Sequence, residues 1–290
     1  MKTTKGDKLG IFLFLIPPLA LFILFFIYPV GYVFVTSFFK WDGISDAVFV
    51  AFKNYSALCK DPIFRSSVVN NVIWALTAGL IQVPLALFVA LILSKKPRGW
   101  KIFRTVYFMP QVISGIALAT LWSTMYNSQY GLVNALLGLV GLEHLQRNWL
   151  GTTQTAFPAL LIYWVFYIGY YMVIILAEIT SISEEYYEAA SIDGANKIQQ
   201  DLYVTLPLVR NSVITSITLA MVFGLRQFEQ VYLLTNGGPA NKTSVMVLYL
   251  YKEMQNNNFG YANATGVMLI IVGTIVIVGV RKILGKNQYE

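Results

Sequence analysis

Polar and aromatic side chains recur inside two otherwise apolar segments, and their types suit solute binding rather than bond chemistry. The segment near 153–180 carries Tyr163, Trp164, Phe166, Tyr167, Tyr170 and Tyr171. The segment near 208–233 carries Phe223, Gly224, Arg226, Gln227, Glu229 and Gln230. A tyrosine offers both a stacking surface and a hydroxyl group, so such a lining can meet the ring faces and hydroxyls of a polar solute. For any single tyrosine, packing against neighbouring helices or lipid is an equal alternative.

Arg226 allows two interpretations. A charge at the bilayer centre costs about 2.5–3.5 kcal/mol, and Glu229, three residues further on, can offset part of that cost. At about 1.5 Å of rise per residue, Arg226 lies roughly 28 Å along a helix that starts at Pro207. It therefore either lines a path through the membrane or reaches the outer interface.

The chain lacks the groups that catalysis or metal binding would need. Cys59 is the one cysteine and His144 the one histidine, so no intramolecular disulfide or thiolate metal cage forms, and a metal enzyme is disfavoured. The phosphate-binding pattern G-x-x-x-x-G-K-[ST] does not occur, so another polypeptide must bind any ATP. We predict no catalytic residue, no metal ligand and no cofactor site.

Composition places the chain in a membrane. Of 290 residues, 57% are hydrophobic and 12% are charged, far from the composition of a soluble domain. Each helical crossing needs about 20 apolar residues. We predict an all-α integral membrane fold in which residues 1–290 form a single domain. Its six transmembrane helices lie near 9–39, 68–94, 105–127, 153–180, 208–233 and 260–284.

The basic residues indicate topology. The net charge is +7, but the lysines and arginines flank apolar segments and form no patch for nucleic acid. Thirteen lie on the side of the termini, Lys2 and Lys286 among them, and seven lie on the other side. Basic loops stay cytoplasmic, so both termini are predicted to be cytoplasmic. The run from Leu9 to Phe39 is too long for a signal peptide and is predicted to remain as the first crossing.

The connection 181–207 departs from the other cytoplasmic loops because it is acidic. Ser183 suits an N-cap, and carboxylates in the first turn favour the positive end of a helix. A helix to about Ile192 is predicted, then a turn at Gly194 and a second short helix over 195–205. The first helix has a face with small side chains, formed by Tyr186, Ala189, Ala190 and Asp193. An amphipathic linker on lipid headgroups is the alternative, which the acidity disfavours because anionic lipid repels it.

Part of this connection resembles a known signature. Glu188-Ala189-Ala190-Ser191-Ile192-Asp193-Gly194-Ala195, followed by Leu206-Pro207-Leu208, resembles the EAA motif of permease subunits of binding-protein-dependent ATP-binding-cassette (ABC) importers. Ser183 stands where relatives usually have proline, and Gln200 where an aromatic is common. Further matches to the carbohydrate-uptake branch, the maltose and glycerol-3-phosphate type, are Tyr28-Pro29, Asn54-Tyr55, Asp61-Pro62, Tyr107-Phe108-Met109-Pro110, Gly131-Leu132-Val133-Asn134, Trp149-Leu150-Gly151 and Thr235-Asn236-Gly237-Gly238-Pro239.

The resemblance implies a function and a set of partners. It implies a prokaryotic plasma-membrane permease for a carbohydrate that works with a second permease subunit, two ATPase subunits that bind ATP and Mg²⁺, and an extracellular solute-binding protein. It implies a coupling helix between the fourth and fifth crossings, with Glu188, Ala189, Ala190, Asp193 and Gly194 as ATPase contacts. It also implies substrate contacts at Phe166, Tyr167, Tyr170, Phe223, Gly224 and Gln227.

Two other classes remain as alternatives. A secondary active transporter would need ionisable groups near the membrane midplane and often carries an internal repeat, but the crossings are nearly free of charge. A membrane-embedded enzyme would need convergent catalytic groups at membrane depth. The sequence favours an oligosaccharide over a small ion, although Arg226 keeps a phosphorylated polyol open.

Overall fold

The computed structural model describes residues 5–284, and the side chains of residues 10–284. Regular structure in this range is almost entirely helical. In chain order the helices are α1 (Lys5–Phe22), α2 (Tyr28–Thr36), α3 (Lys53–Lys60), α4 (Pro62–Thr77), α5 (Val83–Ser94), α6 (Trp100–Phe108), α7 (Gly115–Met125), α8 (Leu132–Leu139), α9 (Ala156–Val165), α10 (Gly169–Ser181), α11 (Glu184–Ile192), α12 (Lys197–Gln200), α13 (Leu206–Leu208), α14 (Arg210–Leu225), α15 (Glu229–Leu234), α16 (Met246–Gln255) and α17 (Phe259–Leu284).

Short irregular turns connect several of these helices. Three π-helical turns cover Ile23–Ile27, Ala78–Gln82 and Asp201–Thr205, and two 3₁₀ turns cover Met109–Gln111 and Glu143–Leu145. Two short strands, β1 (Phe39–Lys40) and β2 (Val48–Phe49), pair antiparallel, with Phe39 opposite Phe49 and Lys40 opposite Val48.

Four helical stretches are long and apolar enough to cross a bilayer. They are Gly10–Thr36, Pro62–Ser94, Ala156–Ser181 and Phe259–Leu284. Two further pairs qualify only as bent spans: Trp100–Gln111 with Gly115–Met125 at 100°, and Lys197–Leu208 with Arg210–Leu225 at 68°. The described residues thus provide four crossings, or six if each bent pair is one crossing, where the sequence predicts six. The terminal positions Lys2 and Lys286 lie outside the described residues.

The chain divides into two compact units. The first comprises Met1–Asp61 and Tyr249–Ile270, and the second comprises Pro62–Leu248 and Ile271–Glu290. In the first unit the side chains from residue 10 to residue 32 are all exposed. Because these side chains are almost all apolar, this helical stretch suits contact with lipid.

Asn54 organises the polar end of the first unit. Its side-chain amide donates to the carbonyl oxygens of Ser37 at 2.8 Å and Phe39 at 2.9 Å. The backbone N–H of Gly260 donates to the Trp41 carbonyl at 3.2 Å. These bonds hold α3 and the start of α17 against the segment that follows α2.

Small residues bring the helices of the second unit close together. Ala86 and Ala90 on α5 are fully buried in the core shared with α10. On α14, the backbone of Gly224 lies against that of Ala75 on α4. Helices in lipid associate through close van der Waals packing, which small side chains allow.

Asn71 joins three helices of the second unit through one buried side chain. Its amide nitrogen donates to the Leu225 carbonyl, at the end of α14, at 2.8 Å. Its amide oxygen accepts from the backbone N–H of Met246, at the start of α16, at 2.7 Å. The Asn71 side chain is fully buried, so it satisfies two helix ends that water does not reach.

We predict that Asn71→Ala lowers the free energy of unfolding by about 1–3 kcal/mol, because both backbone groups lose a buried partner. The measurement is the unfolding midpoint of the purified chain in detergent. Asn256→Ala, at an exposed position, is the matched control and should leave the midpoint nearly unchanged. Equal losses in the two variants would contradict this role for Asn71.

Candidate functional site

The fourth crossing is broken in its middle. Helix α9 ends at Val165 and α10 begins at Gly169, which frees backbone carbonyls at membrane depth. The side-chain amide of Gln82 donates to the Trp164 carbonyl at 2.9 Å and to the Tyr167 carbonyl at 3.0 Å. Polar side chains on neighbouring helices commonly satisfy a broken crossing in this way.

The break separates the three aromatic residues of this crossing that the resemblance assigns to substrate contact. Tyr167 is buried and packs edge-to-face on Tyr163, with ring centroids 4.9 Å apart. Phe166 is 63% exposed and Tyr170 is 40% exposed. An unbroken helix would keep the three residues together, and the non-helical turn at 166–168 directs Tyr167 into the core instead.

The fifth segment also divides its candidate residues between surface and core. Phe223 is exposed, and its ring packs edge-to-face on Tyr170 with centroids 6.2 Å apart. Gly224 is buried against Ala75, and Gln227 is buried just beyond the end of α14. The structure therefore brings Tyr170 and Phe223 together at the surface and places Tyr167, Gly224 and Gln227 inside.

Arg226 and Glu229 are both exposed where α14 gives way to α15. Within residues 10–284, no ion pair joins them. The Glu229 carboxylate lies beside the Cα of Gly115, 2.6 Å from where a Cβ would be. Gly115 thus lets α15 pack closely on α7, and the charges do not offset each other as the sequence suggests.

Sequence reasoning missed the polar residues of the second crossing. Gln82 is fully buried, and the Gln111 amide also reaches the Tyr167 carbonyl, at 3.3 Å. Two indole nitrogens close to this break, those of Trp74 and Trp164, are buried without a hydrogen-bond partner among the described residues. The sequence did contain a signal for this contact, namely the glutamine side chains themselves, since a polar side chain inside a crossing is uncommon and usually has a role.

The acidic connection, residues 181–207, forms the helix, glycine turn and second short helix that the sequence predicts. We call this segment the elbow. The Ser183 hydroxyl caps α11 by accepting from the Glu185 backbone N–H. Gly194 ends it at a φ of +81°, a conformation that glycine adopts easily. Asn196 then caps α12 in a reciprocal arrangement with Gln199.

Partly buried hydrogen bonds close the elbow on itself. The Gln200 amide donates to the Ser191 hydroxyl at 2.8 Å, and the hydroxyls of Tyr187 and Thr205 lie 3.0 Å apart. Gln200 is 4% exposed. The two arms of the elbow are therefore fixed to each other, and Gln200 has a structural role at the position where an aromatic is common.

The outer surface of the elbow carries the residues that the resemblance assigns to ATPase contact. Glu188, Ala189, Asp193 and Gly194 are exposed, and Ala190 is half-buried. The elbow also exposes four large apolar side chains that the sequence reading did not single out, namely Ile192, Ile198, Leu202 and Tyr203. Exposed apolar side chains on the same segment suit a protein contact.

An ion pair connects the elbow to the end of the second crossing. Lys95 Nζ lies 2.5 Å from Asp201 Oδ2. Behind the pair is a cavity of about 780 Å³, lined by both residues and by Glu184, Glu188 and Lys197 among others. Because both side chains are partly exposed, the pair contributes about 0–1 kcal/mol to stability.

Comparisons with known proteins agree on one family. A family model described as "binding-protein-dependent transport system inner membrane component" matches residues 82–287. The chain is 35% identical to the probable ABC transporter permease protein YurN of Bacillus subtilis, covering 92% of both chains. It is 34% identical to the diacetylchitobiose uptake system permease protein NgcF of Streptomyces coelicolor, covering 98% of this chain and 86% of that one.

A solved structure shows the same fold. It is a bacterial alginate ABC transporter in complex with a periplasmic protein bound to an alginate pentasaccharide. The TM-score is 0.80 at 22% identity, and the match covers 94% of this chain and 93% of that chain.

We predict that Gly224→Ala separates α14 from α4, because the new methyl group would lie 3.0 Å from the Ala75 Cα, a backbone atom that has little room to move. Such overpacking costs about 1–3 kcal/mol. The measurement is the thermal unfolding midpoint of the purified chain. Gly279→Ala is the control, since a Cβ there meets nothing within 4 Å. An unchanged midpoint for Gly224→Ala would show that this helix contact adapts.

Proposed function

The chain belongs to the family of binding-protein-dependent transport system inner membrane components, and from this membership we propose that it forms half of the translocation pathway of an ATP-driven carbohydrate importer. It is a membrane transport subunit and not an enzyme. Its place is the plasma membrane of a prokaryote, and we propose that both termini face the cytoplasm because the basic loops lie on their side.

A carbohydrate as the transported solute is supported by two observations. One relative carries diacetylchitobiose uptake in its name, and the exposed pair of Tyr170 and Phe223 offers two perpendicular ring faces and a hydroxyl group. Aromatic faces suit the apolar faces of sugar rings, and the hydroxyl can bond to the sugar hydroxyls. Tyr167, Gly224 and Gln227 are buried in this conformation, so we propose that they reach the solute only when the crossings rearrange.

The elbow is the single feature that carries the proposed coupling to ATP. Its acidic helix ends at Ile192, two residues before the turn at Gly194, its outer face has small side chains, and the elbow exposes large apolar residues such as Ile192. ATP and Mg²⁺ would be bound by separate ATPase subunits, because this chain has no phosphate-binding loop. A cleft on such a subunit would cover the exposed apolar side chains of the elbow, and its cationic groups would pair with Glu188 and Asp193.

Motion of the elbow would pass directly into the crossings. Only Ile182 and Ser183 separate α10 from α11, and only Val209 separates α13 from α14. The internal bonds of Gln200 and Tyr187 make the elbow a rigid body. Closure of the two ATPase subunits would turn it as a lever and switch the access of the pathway from one side to the other. A second permease subunit would complete the pathway, and a solute-binding protein would dock on the outer face.

We predict that a cysteine at position 189 is captured by a partner ATPase. The background is Cys59→Ser, since Cys59 is exposed and would react itself. In membranes that contain the chain coexpressed with its ABC ATPase subunits, Ala189→Cys should give a crosslinked product on a gel after treatment with a bifunctional maleimide, and ATP should change its yield. Ser128→Cys, exposed in a predicted outer loop, is the control. Capture at position 128 but not at 189 would reverse the proposed orientation.

We also predict that Tyr170→Ala and Phe223→Ala each lower solute uptake about tenfold while assembly is unchanged, because each removes one ring of the exposed pair. Uptake is measured in vesicles loaded with ATP and lacking an ion gradient, with radiolabelled oligosaccharides that include diacetylchitobiose. Phe88→Ala, an exposed phenylalanine on α5, is the control. Uptake that needs an ion gradient and no ATPase would favour the secondary transporter, and normal uptake by both variants would remove the pair from the pathway.

A further inference from the structure

A groove with basic side chains opens beside α6 in the second unit. A cavity of about 390 Å³ is lined by Trp100, Lys101, Arg104, Thr105, Phe108 and Val173. An adjoining cavity of about 180 Å³ shares Trp100, Arg104 and Val173 and adds Lys96 and Thr180. We call the two together the α6 groove. No residue of the elbow lines it, although Ser94, Lys96 and Thr180 also line the cavity beside the elbow, and neither Tyr170 nor Phe223 belongs to its lining.

Helix α6 presents three different surfaces. Trp100 and Tyr107 pack on the buried core of the unit. Lys101, Arg104, Thr105 and Phe108 follow the i, i+3, i+4, i+7 spacing of a single helix face, and all four line the groove. Ile102, Phe103 and Val106 are apolar and more than half exposed. The apolar face suits contact with lipid, and the basic face suits contact with a negatively charged group.

The surrounding helices place the groove at the height where two crossings leave the membrane. Its lining includes Leu93 and Ser94, the last residues of α5, and Thr180, in the last turn of α10. The stretch 100–111 bends by 100° from α7, so α6 is not a straight continuation of the third crossing. Helix α6 runs beside α10, from Trp100 near Thr180 to Phe108 near Gly169, so its basic first turn lies where α10 leaves the membrane.

The charge in the groove has one sign. Lys96, Lys101 and Arg104 are cationic, and no carboxylate is among the residues that line either cavity. The walls below them are apolar and include Leu93, Val173 and Leu176. A ligand that fits must carry a negative group next to a hydrocarbon part, and basic pockets between crossings bind lipid headgroups in this way.

We propose that the α6 groove is a binding site for an anionic glycerophospholipid, with the phosphate held by Lys101 and Arg104 and an acyl chain lying along Val173 and Leu176. A free phosphate ion would use the cations but leave the apolar walls uncovered. Lipid binding at this site needs neither solute nor ATP, so the proposal is tested separately from the proposed transport function.

The test is native mass spectrometry of the full chain in detergent with added dioleoylphosphatidylglycerol or dioleoylphosphatidylcholine. We expect retention of the anionic lipid over the zwitterionic one. The double variant Lys101→Gln/Arg104→Gln should weaken retention of phosphatidylglycerol about fivefold for each charge removed. Arg98→Gln/Lys282→Gln is the matched control, since it removes two exposed charges predicted on the same side that do not line the groove.

A second variant tests the apolar wall without changing charge. Val173 lines both cavities, so Val173→Phe should fill them and abolish selective retention. The proposal would be wrong if Val173→Phe retained the lipid unchanged, or if the Arg98→Gln/Lys282→Gln control lost as much retention as Lys101→Gln/Arg104→Gln. Either result would show diffuse attraction between charges and no defined site. Displacement of the lipid by millimolar inorganic phosphate would show that the groove binds a free anion and not a lipid. No displacement, together with loss in the groove variants alone, supports the proposal.

Discussion

In a bilayer, a backbone carbonyl or N–H that loses its helical partner finds no water, so every break in a crossing needs a polar group from elsewhere in the protein. In this chain the second crossing provides that group as a side-chain amide. Gln82 serves the break in the fourth crossing, and Asn71 serves the end of α14 and the start of α16. Helices α4 and α5 are therefore the frame against which the irregular segments are held.

This frame meets the elbow through a weak connection. The hydrogen bonds inside the elbow are partly buried and join its two arms, whereas the Lys95–Asp201 pair is partly exposed and contributes little to stability. Two well-fixed bodies joined by a weak contact can move relative to each other at low energetic cost. That is the mechanical property a transport subunit needs if a motor elsewhere is to change its shape.

Local rules explain which features could be read from the sequence. The elbow was predictable because Ser183 and Gly194 act on their own helix ends, and the apolar runs follow from hydrophobicity alone. The position of Tyr167 was not predictable, because a three-residue break redirects its side chain and the partner that permits the break, Gln82, lies 85 residues earlier. Gly224 looked like pathway lining, but its close approach to Ala75 exists only in the packed molecule. Side-chain amides in an apolar run were the one sequence signal of these distant contacts.

Gly169 opens α10 directly beneath the third crossing, where a Cβ would overlap the Tyr107 carbonyl oxygen. The atoms that such a Cβ would meet belong to the backbone of Tyr107 and Phe108, so neither a rotamer change nor a replacement of those side chains relieves the overlap. Substitution of Gly169 is therefore strongly disfavoured, whereas substitution of the exposed aromatic residues meets no such backbone clash. Solute preference can diverge among descendants of this protein while the seam between its third and fourth crossings stays the same.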